Sequence, residues 1–192
     1  MAKVEIVNNI DIVDDIIPKV KPTKKKKVAP EIKAYGHSGR LFEAKINTMN
    51  KKYQLEGRAF IFKTFPEAVI IKKNGRVTTA TYKDKGVLDY VGFTKGRTGF
   101  MLEAKNCEGT SFPLSNIKEH QFETAKQIDP YISFCLFLIN MNHYGKTYLV
   151  HASDIEIFRK TNTRKSIPIE WLCEYGVEVE DLDYLSVIEQ YE

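Results

Sequence analysis

The chain is poor in cysteine: three in 192 residues, Cys107, Cys135 and Cys173, with no CxxC pair among them. An odd, scattered set excludes a disulfide framework and a zinc-ligand spacing, and predicts free, buried thiols in a reducing compartment, the cytoplasm. Long apolar runs are also missing. The longest, Ile132 to Ile139 with Ser133 inside it, falls far short of the roughly 20 residues that span a bilayer, so no membrane partner is expected. The opening stretch, MAKVEIVNNIDIVDDIIPKV, lacks the basic-then-apolar order of a signal peptide. Internal repeats are absent. Positive charge is missing from the C-terminal stretch: between Trp171 and Glu192 there is no Lys or Arg but there are seven acids. Without that stretch 29 bases face 18 acids, a net +11. A body so basic suits a phosphate-rich partner, although ordinary soluble proteins carry such an excess too.

What is present reads as one α/β domain with a tail at each end. Residues 1–34 contain PKVKPTKKKKVAP, a Lys- and Pro-rich segment without apolar period that cannot offset its ordering entropy. It is either a source of nonspecific DNA affinity or a solvated leader; the IVNNIDIVDDII before it suits a short helix. A domain over 35–178 follows. Phe42, Ile46, Met49 and Tyr53 have helical spacing, with a stop at Gly57. RAFIFK is a short strand. VIIKKNGRVTTATY is a hairpin about Asn74-Gly75, and LDYVGFTK with TGFMLEAK is a second about Lys95-Gly96-Arg97. NIKEHQFETAKQI is a helix with Asn116 as N-cap and Glu119 three residues on. YISFCLFLI is a buried strand that pairs with KTYLVHA, and IPIEWLCEYG is a short helix ending at Gly176. Phe60, Phe62, Phe134, Phe137 and Tyr148 are read as core. Residues 179–192 are read as an acidic tail. The order of elements gives a mixed α/β (α+β) sheet domain.

The second hairpin carries the chemistry. With its turn centred on Gly96, facing residues have numbers that sum to about 192, and Asp89 and Glu103 meet that condition. They would lie opposite one another, Cβ atoms roughly 5 Å apart. Lys105, two residues on, points to the same face. Two such carboxylates repel unless a cation lies between them, and Mg²⁺ or Mn²⁺ suits the oxygen ligands while keeping waters for a phosphate substrate. A lysine beside them can hold or activate the attacking water. The competing reading is a surface ion-pair cluster. Phe100, Met101, Leu102 and Ala104 speak against it, because they make the strand apolar on both faces, where stray charges are costly.

The run LDYVGFTKGRTGFMLEAKNCEGTSFPLSNIKEHQ resembles the core signature of the RecU-type Holliday junction resolvases, of the PD-(D/E)xK nuclease superfamily. The motifs are Asp89-Tyr90, Gly92, Glu103-Ala104-Lys105, Thr110 to Leu114, and His120-Gln121. The likeness continues through Phe134 to Ile139, YLVHAS and RKSIP, and upstream through GRLFEAKINTMNKKY, where Glu43 fills the place of an acid on the family's first helix. The resemblance implies a restriction-endonuclease-like core with a protruding β-hairpin stalk, here about 64–86. It implies a homodimer that cuts two strands of a four-way DNA junction with Mg²⁺ or Mn²⁺ in recombination and repair, with recombinase or branch-migration proteins as further partners. Alternatives are a nuclease of the same fold acting on other branched or duplex DNA, and a DNA-binding recombination regulator. Leu88 replaces the family's Thr before the catalytic Asp. The segment from Lys63 to Asp89 is shorter than in cellular members, which fits a phage-encoded relative.

The resulting site assignment is Asp89 and Glu103 as metal ligands, Lys105 as the water-positioning group, and Glu43 as an outer ligand, with a solvated helix glutamate as its competitor. Gln121 orients water or phosphate, being a polar residue on the face of Ile117 and Ala125. His120 is read as a helix-surface residue, and His37, His143 and His151 form no ligand spacing. Lys72, Lys73, Arg76, Lys83 and Lys85 are the expected DNA contacts of the stalk.

Overall fold

Alternating apolar positions in the chain's strands fill both faces of one sheet. A computed structural model describes residues 35–65, 68–74, 77–82 and 87–192. Six strands, β1 (Ala59–Lys63), β4 (Tyr90–Thr94), β5 (Gly99–Cys107), β7 (Phe134–Met141), β8 (Lys146–His151) and β10 (Val177–Glu178), lie in the order β1-β4-β5-β7-β8-β10. Only β5 and β7 run parallel; the other neighbours are antiparallel. Two small sheets accompany this one: β2 (Ala68–Asn74) with β3 (Val77–Tyr82), and β6 (Ser111–Pro113) with β9 (Ser166–Pro168). The helices are α1 (Tyr35–Leu55), α2 (Glu119–Ile128), α3 (Ala152–Thr161), α4 (Ile169–Tyr175) and α5 (Tyr184–Glu189). This is the expected mixed α/β architecture. Among the described residues no helix is long and apolar enough to cross a membrane.

Pleating sorts the core into two layers. Leu102, Leu136, Leu138 and Leu149 point to one face, where they pack with Phe42, Ile46 and Tyr53 of α1 and Tyr184, Leu185 and Ile188 of α5. Met101, Phe137, Ile139, Tyr148 and Val150 point to the other, against Phe122 of α2, Ile155 and Phe158 of α3 and Leu172 of α4. A strand buried on both faces reads as a continuous apolar run, which is why Phe134 to Ile139 was legible. Helix α1 keeps the expected stripe and ends where Gly57 takes φ of 66°.

Five expectations are corrected. The acidic tail at 179–192 is folded: a turn at Glu180–Leu182 and helix α5 bury Val179, Tyr184, Leu185, Val187 and Ile188. Its acids are partly neutralised by bases distant in sequence, Arg58 with Glu189 at 2.5 Å and with Asp183 at 3.6 Å. Asn116 is not the N-cap of α2; it ends a 3₁₀ turn, Leu114–Asn116, and Lys118 is the cap. Phe60 and Phe62 are not core but 47% and 52% exposed, because β1 is the edge strand and α1 packs on its opposite face, against Ala59 and Ile61. Cys173 is exposed, unlike the buried Cys107 and Cys135. Helix α3 was not foreseen: its buried residues are only Ala152, Ile155 and Phe158, too few to show a period. The segment 1–34, expected as a tail, lies outside the described residues.

Candidate active site

The β4–β5 pairing has the register that a turn about Gly96 demands. Tyr90 faces Leu102, Val91 faces Met101 and Gly92 faces Phe100. One step further, Asp89 meets Glu103 just beyond the ladder. The Asp89 amide donates to Glu103 Oε2 at 3.1 Å, and the Ala104 amide donates to Asp89 Oδ2 at 3.0 Å. The approach of the hairpin strands depends on Gly92, where a Cβ would fall 2.2 Å from the Phe100 ring.

Lys105 and Gln121 complete the cluster. Lys105 Nζ donates to Glu103 Oε1 at 2.6 Å and to Gln121 Oε1 at 3.0 Å. Gln121 Nε2 donates to the same Glu103 oxygen, while Gln121 Oε1 accepts from the Lys118 amide at 2.9 Å. The polar residue on an apolar face thus starts α2 and joins it to the site. Glu103 is 2% exposed. Burial pushes its carboxyl above the ordinary carboxylate value, and so does the neighbouring Asp89, against the opposing pull of Lys105. Asp89 is raised as well, first by burial and then by the charge of Glu43, with the Ala104 amide, Lys105 and Lys63 opposing. The buried Glu103 and half-buried Asp89, both raised, form a donor pair that a hard divalent cation would complete. Among the described residues no group of three or more His, Cys, Asp or Glu is arranged to hold a metal, so the remaining positions would go to water and phosphate, as suits Mg²⁺.

Glu43 is close enough to act on Asp89 electrostatically, but its Oε2 is paired with Lys63 Nζ at 2.6 Å. Lys63 is the residue that sequence reasoning missed. It ends β1 opposite Tyr90, lies 5.9 Å from that ring, and puts a second cation beside Asp89. Its signal lay in the β1–β4 register, which no local pattern encodes. Leu88 is fully buried in the core beneath α2, so the departure from Thr changes packing. The neighbouring backbone is held instead by Thr64, whose amide donates to Asp89 O at 2.9 Å and whose hydroxyl donates to Leu88 O. His120 makes no hydrogen bond among the described residues.

Lys72 and Lys73 lie in β2 facing Thr79 and Thr78, with a bulge between Ile70 and Lys72. Arg76, Lys83 and Lys85 lie outside the described residues. The hairpin forms a sheet of its own, inserted between Lys63 of β1 and Asp89.

An Asp…Glu-x-Lys set on adjacent strands of a mixed α/β sheet is the arrangement expected of a PD-(D/E)xK nuclease. The family model "Recombination protein U" matches residues 37–190, and the chain belongs to the RecU family. It is 33% identical to the Holliday junction resolvase RecU of Bacillus pumilus over 180 residues, covering 86% of each chain. It is 29% identical to that of Lactococcus lactis, over 85% of this chain and 84% of the relative. It is 25% identical to that of Streptococcus pneumoniae strain P1031, over 90% and 93%. A solved structure of Hjc, a Holliday junction resolvase of Archaeoglobus fulgidus, aligns at 12% identity with a TM-score of 0.46, covering 75% of this chain and 98% of the other.

Proposed function

We propose that this chain is an endonuclease that resolves four-way DNA junctions by hydrolysing phosphodiester bonds with Mg²⁺ or Mn²⁺. The observation that carries the reading is the Asp89–Glu103–Lys105 cluster in a RecU-family chain. Asp89 and Glu103 would hold the cation. When bound, it would polarise the scissile phosphate and acidify a water. Lys105 is held between Glu103 and Gln121, where its ammonium can orient a water and meet a phosphate oxygen. Gln121 fixes that ammonium, and the Lys63–Glu43 pair sets the charge beside Asp89. The test is cleavage of labelled four-way junction, duplex and flap, each with and without Mg²⁺. Junction-selective, metal-dependent cutting is expected. Equal cutting of duplex or flap would make it a general nuclease of this fold, and binding without cutting would make it a recombination regulator.

A junction is cut on two strands, and a symmetric substrate calls for a symmetric enzyme. A homodimer is therefore expected, with light scattering at micromolar concentration reading twice the chain mass. A monomer both with and without DNA would contradict it.

The hairpin of β2 and β3 supplies the stalk. Phosphates crowd the centre of a four-way junction, so cations on an inserted hairpin meet a field that plain duplex lacks. Changing Lys72, Lys73 and Arg76 together to Ala is expected to weaken junction binding more than duplex binding. It should also flatten the salt dependence by up to about 0.9 log units per lost phosphate contact. Titrations of both substrates across a salt series check this; equal loss on the two would leave the hairpin only a general DNA affinity.

A further inference from the structure

The six residues Lys160, Thr161, Asn162, Thr163, Arg164 and Lys165 are all exposed, and they carry three cations, three small polar side chains and no acid. The end of α3 accounts for part of this. Lys160 lies in its last turn, where cations complement the helix dipole, and pairs with Glu156 at 3.0 Å. Asn162 closes the helix, its side-chain amide donating to Phe158 O at 3.2 Å. Arg164 and Lys165 lie beyond that turn, and among the described residues no carboxylate pairs with either.

The loop's entry is pinned to the start of α2, and its exit to β6 and the 3₁₀ turn that lead into α2. At its entry, Arg159 donates to Glu119 Oε2 at 2.6 Å and lies 4.3 Å over the Phe122 ring. At its exit, Lys165 O accepts from the Leu114 amide at 3.0 Å, and Ser166 pairs with Pro113. The same start of α2 carries Lys118 and Gln121, and Gln121 touches Glu103 and Lys105. A chain of contacts therefore runs from the stalk root at Lys63 and Thr64 to Asp89, Glu103, Gln121 and this loop. The carboxylates lie between two cationic elements.

We infer that the loop Lys160–Lys165 is a second DNA-backbone clamp, with Arg164 and Lys165 binding phosphates of the junction arm that leads away from the catalytic centre. The inference rests on the resolvase reading and adds where the arm lies. Lys165 reaches the site only through Leu114, Lys118 and Gln121, which places the contacts out along the arm rather than at the scissile bond. The Thr163 hydroxyl can add a neutral hydrogen bond to the same backbone, which positions DNA without reading sequence.

The test uses the full chain in EDTA, so that nothing is cut, titrated on four-way junctions with arms of about 5 and about 15 base pairs across a salt series. Arg164→Ala with Lys165→Ala is expected to lose about tenfold in affinity on long arms and nothing on short ones. The slope of log affinity against log salt should fall by about 1.8, or about 0.9 per contact. Arg164→Glu with Lys165→Glu should deepen the long-arm loss, with thermal melts matching wild type in both variants. Unchanged long-arm affinity, or equal loss on short and long arms, would overturn the assignment. If wild type binds junction no better than duplex, the resolvase reading fails instead, and the same long-against-short comparison made on duplex still decides the loop.

Discussion

Asp89→Asn and Glu103→Gln, each made in the full chain, are expected to abolish junction cleavage while leaving junction binding largely intact. The two carboxylates meet across one hairpin, Glu103 accepting from the Asp89 amide and Asp89 from the Ala104 amide, and among the described residues no group of three such ligands is arranged to hold the proposed cation. Losing either ligand removes several kcal/mol of transition-state stabilisation, about a thousandfold in rate or more. Binding survives because affinity for DNA comes mostly from bases that pair with phosphates. Single-turnover cleavage with Mg²⁺, beside titration in EDTA, reads both halves. Full activity in either variant, or in wild type with excess EDTA, would defeat the assignment. The same Asp89→Asn protein carries a stability signature. Burial raises both carboxyl groups above their unfolded values near 3.8 and 4.5, so between those values and the raised ones the folded chain binds more protons than the unfolded chain. Stability of the metal-free protein therefore falls as pH rises through that window, and the cost is fully present above it. Asn keeps an acceptor for the Ala104 amide but carries no charge. Metal-free Asp89→Asn should melt higher than wild type above that window, with a flatter acid profile. Mg²⁺ should stabilise wild type and not the variant. A lower melting temperature for Asp89→Asn would refute the burial account.

Removing Asp183–Glu192 is expected to unfold the domain, although ten residues with three acids and no base look dispensable on composition. Tyr184, Leu185 and Ile188 are 0%, 0% and 1% exposed and sit in the layer under α1. The Tyr184 ring packs edge-on at 5.4 Å against Tyr53, and its hydroxyl donates to the buried Asn50. Arg58 would lose Glu189, Asp183 and the Ser186 hydroxyl together. Each buried aliphatic or aromatic side chain lost costs about 2–5 kcal/mol, so three exceed much of the 5–15 kcal/mol that holds a domain of this size. Circular dichroism and thermal melts of the truncated chain check this beside Leu185→Ala. That single change should lower stability by about 2–5 kcal/mol yet leave a cooperative transition. A truncated chain melting like wild type would show the segment to be an appendage after all.

The active-site hairpin was legible because its information is local. A turn at Gly96 and the two-residue strand period place Asp89, Glu103 and Lys105 together, and the observed register keeps that count. Gln121 was legible as a polar residue on an apolar face, and it proved to bridge Lys105, Glu103 and the start of α2. Lys63 was not legible, since its value depends on β1 pairing with β4 across a 26-residue insertion. The capping of α2 was misread for a related reason: Gln121 serves the Lys118 amide and the active site at once, and propensity alone favoured Asn116.

By itself, then, the sequence determined the order of the main strands and of α1, α2 and α4, the two-sided burial of the central strands, the Asp…Glu-x-Lys set and the family likeness. All of these rest on residues within a few positions of one another or on a motif read whole. Tertiary structure alone decided that the acidic C-terminus is core, that Phe60 and Phe62 stay half-exposed on an edge strand, and that Lys63 joins the site. The physical reason is that burial and charge pairing depend on which distant segments meet. Glu189 is a tail acid until Arg58, 131 positions away, lies against it, and a phenylalanine on a strand is core only where a helix covers its face of that strand.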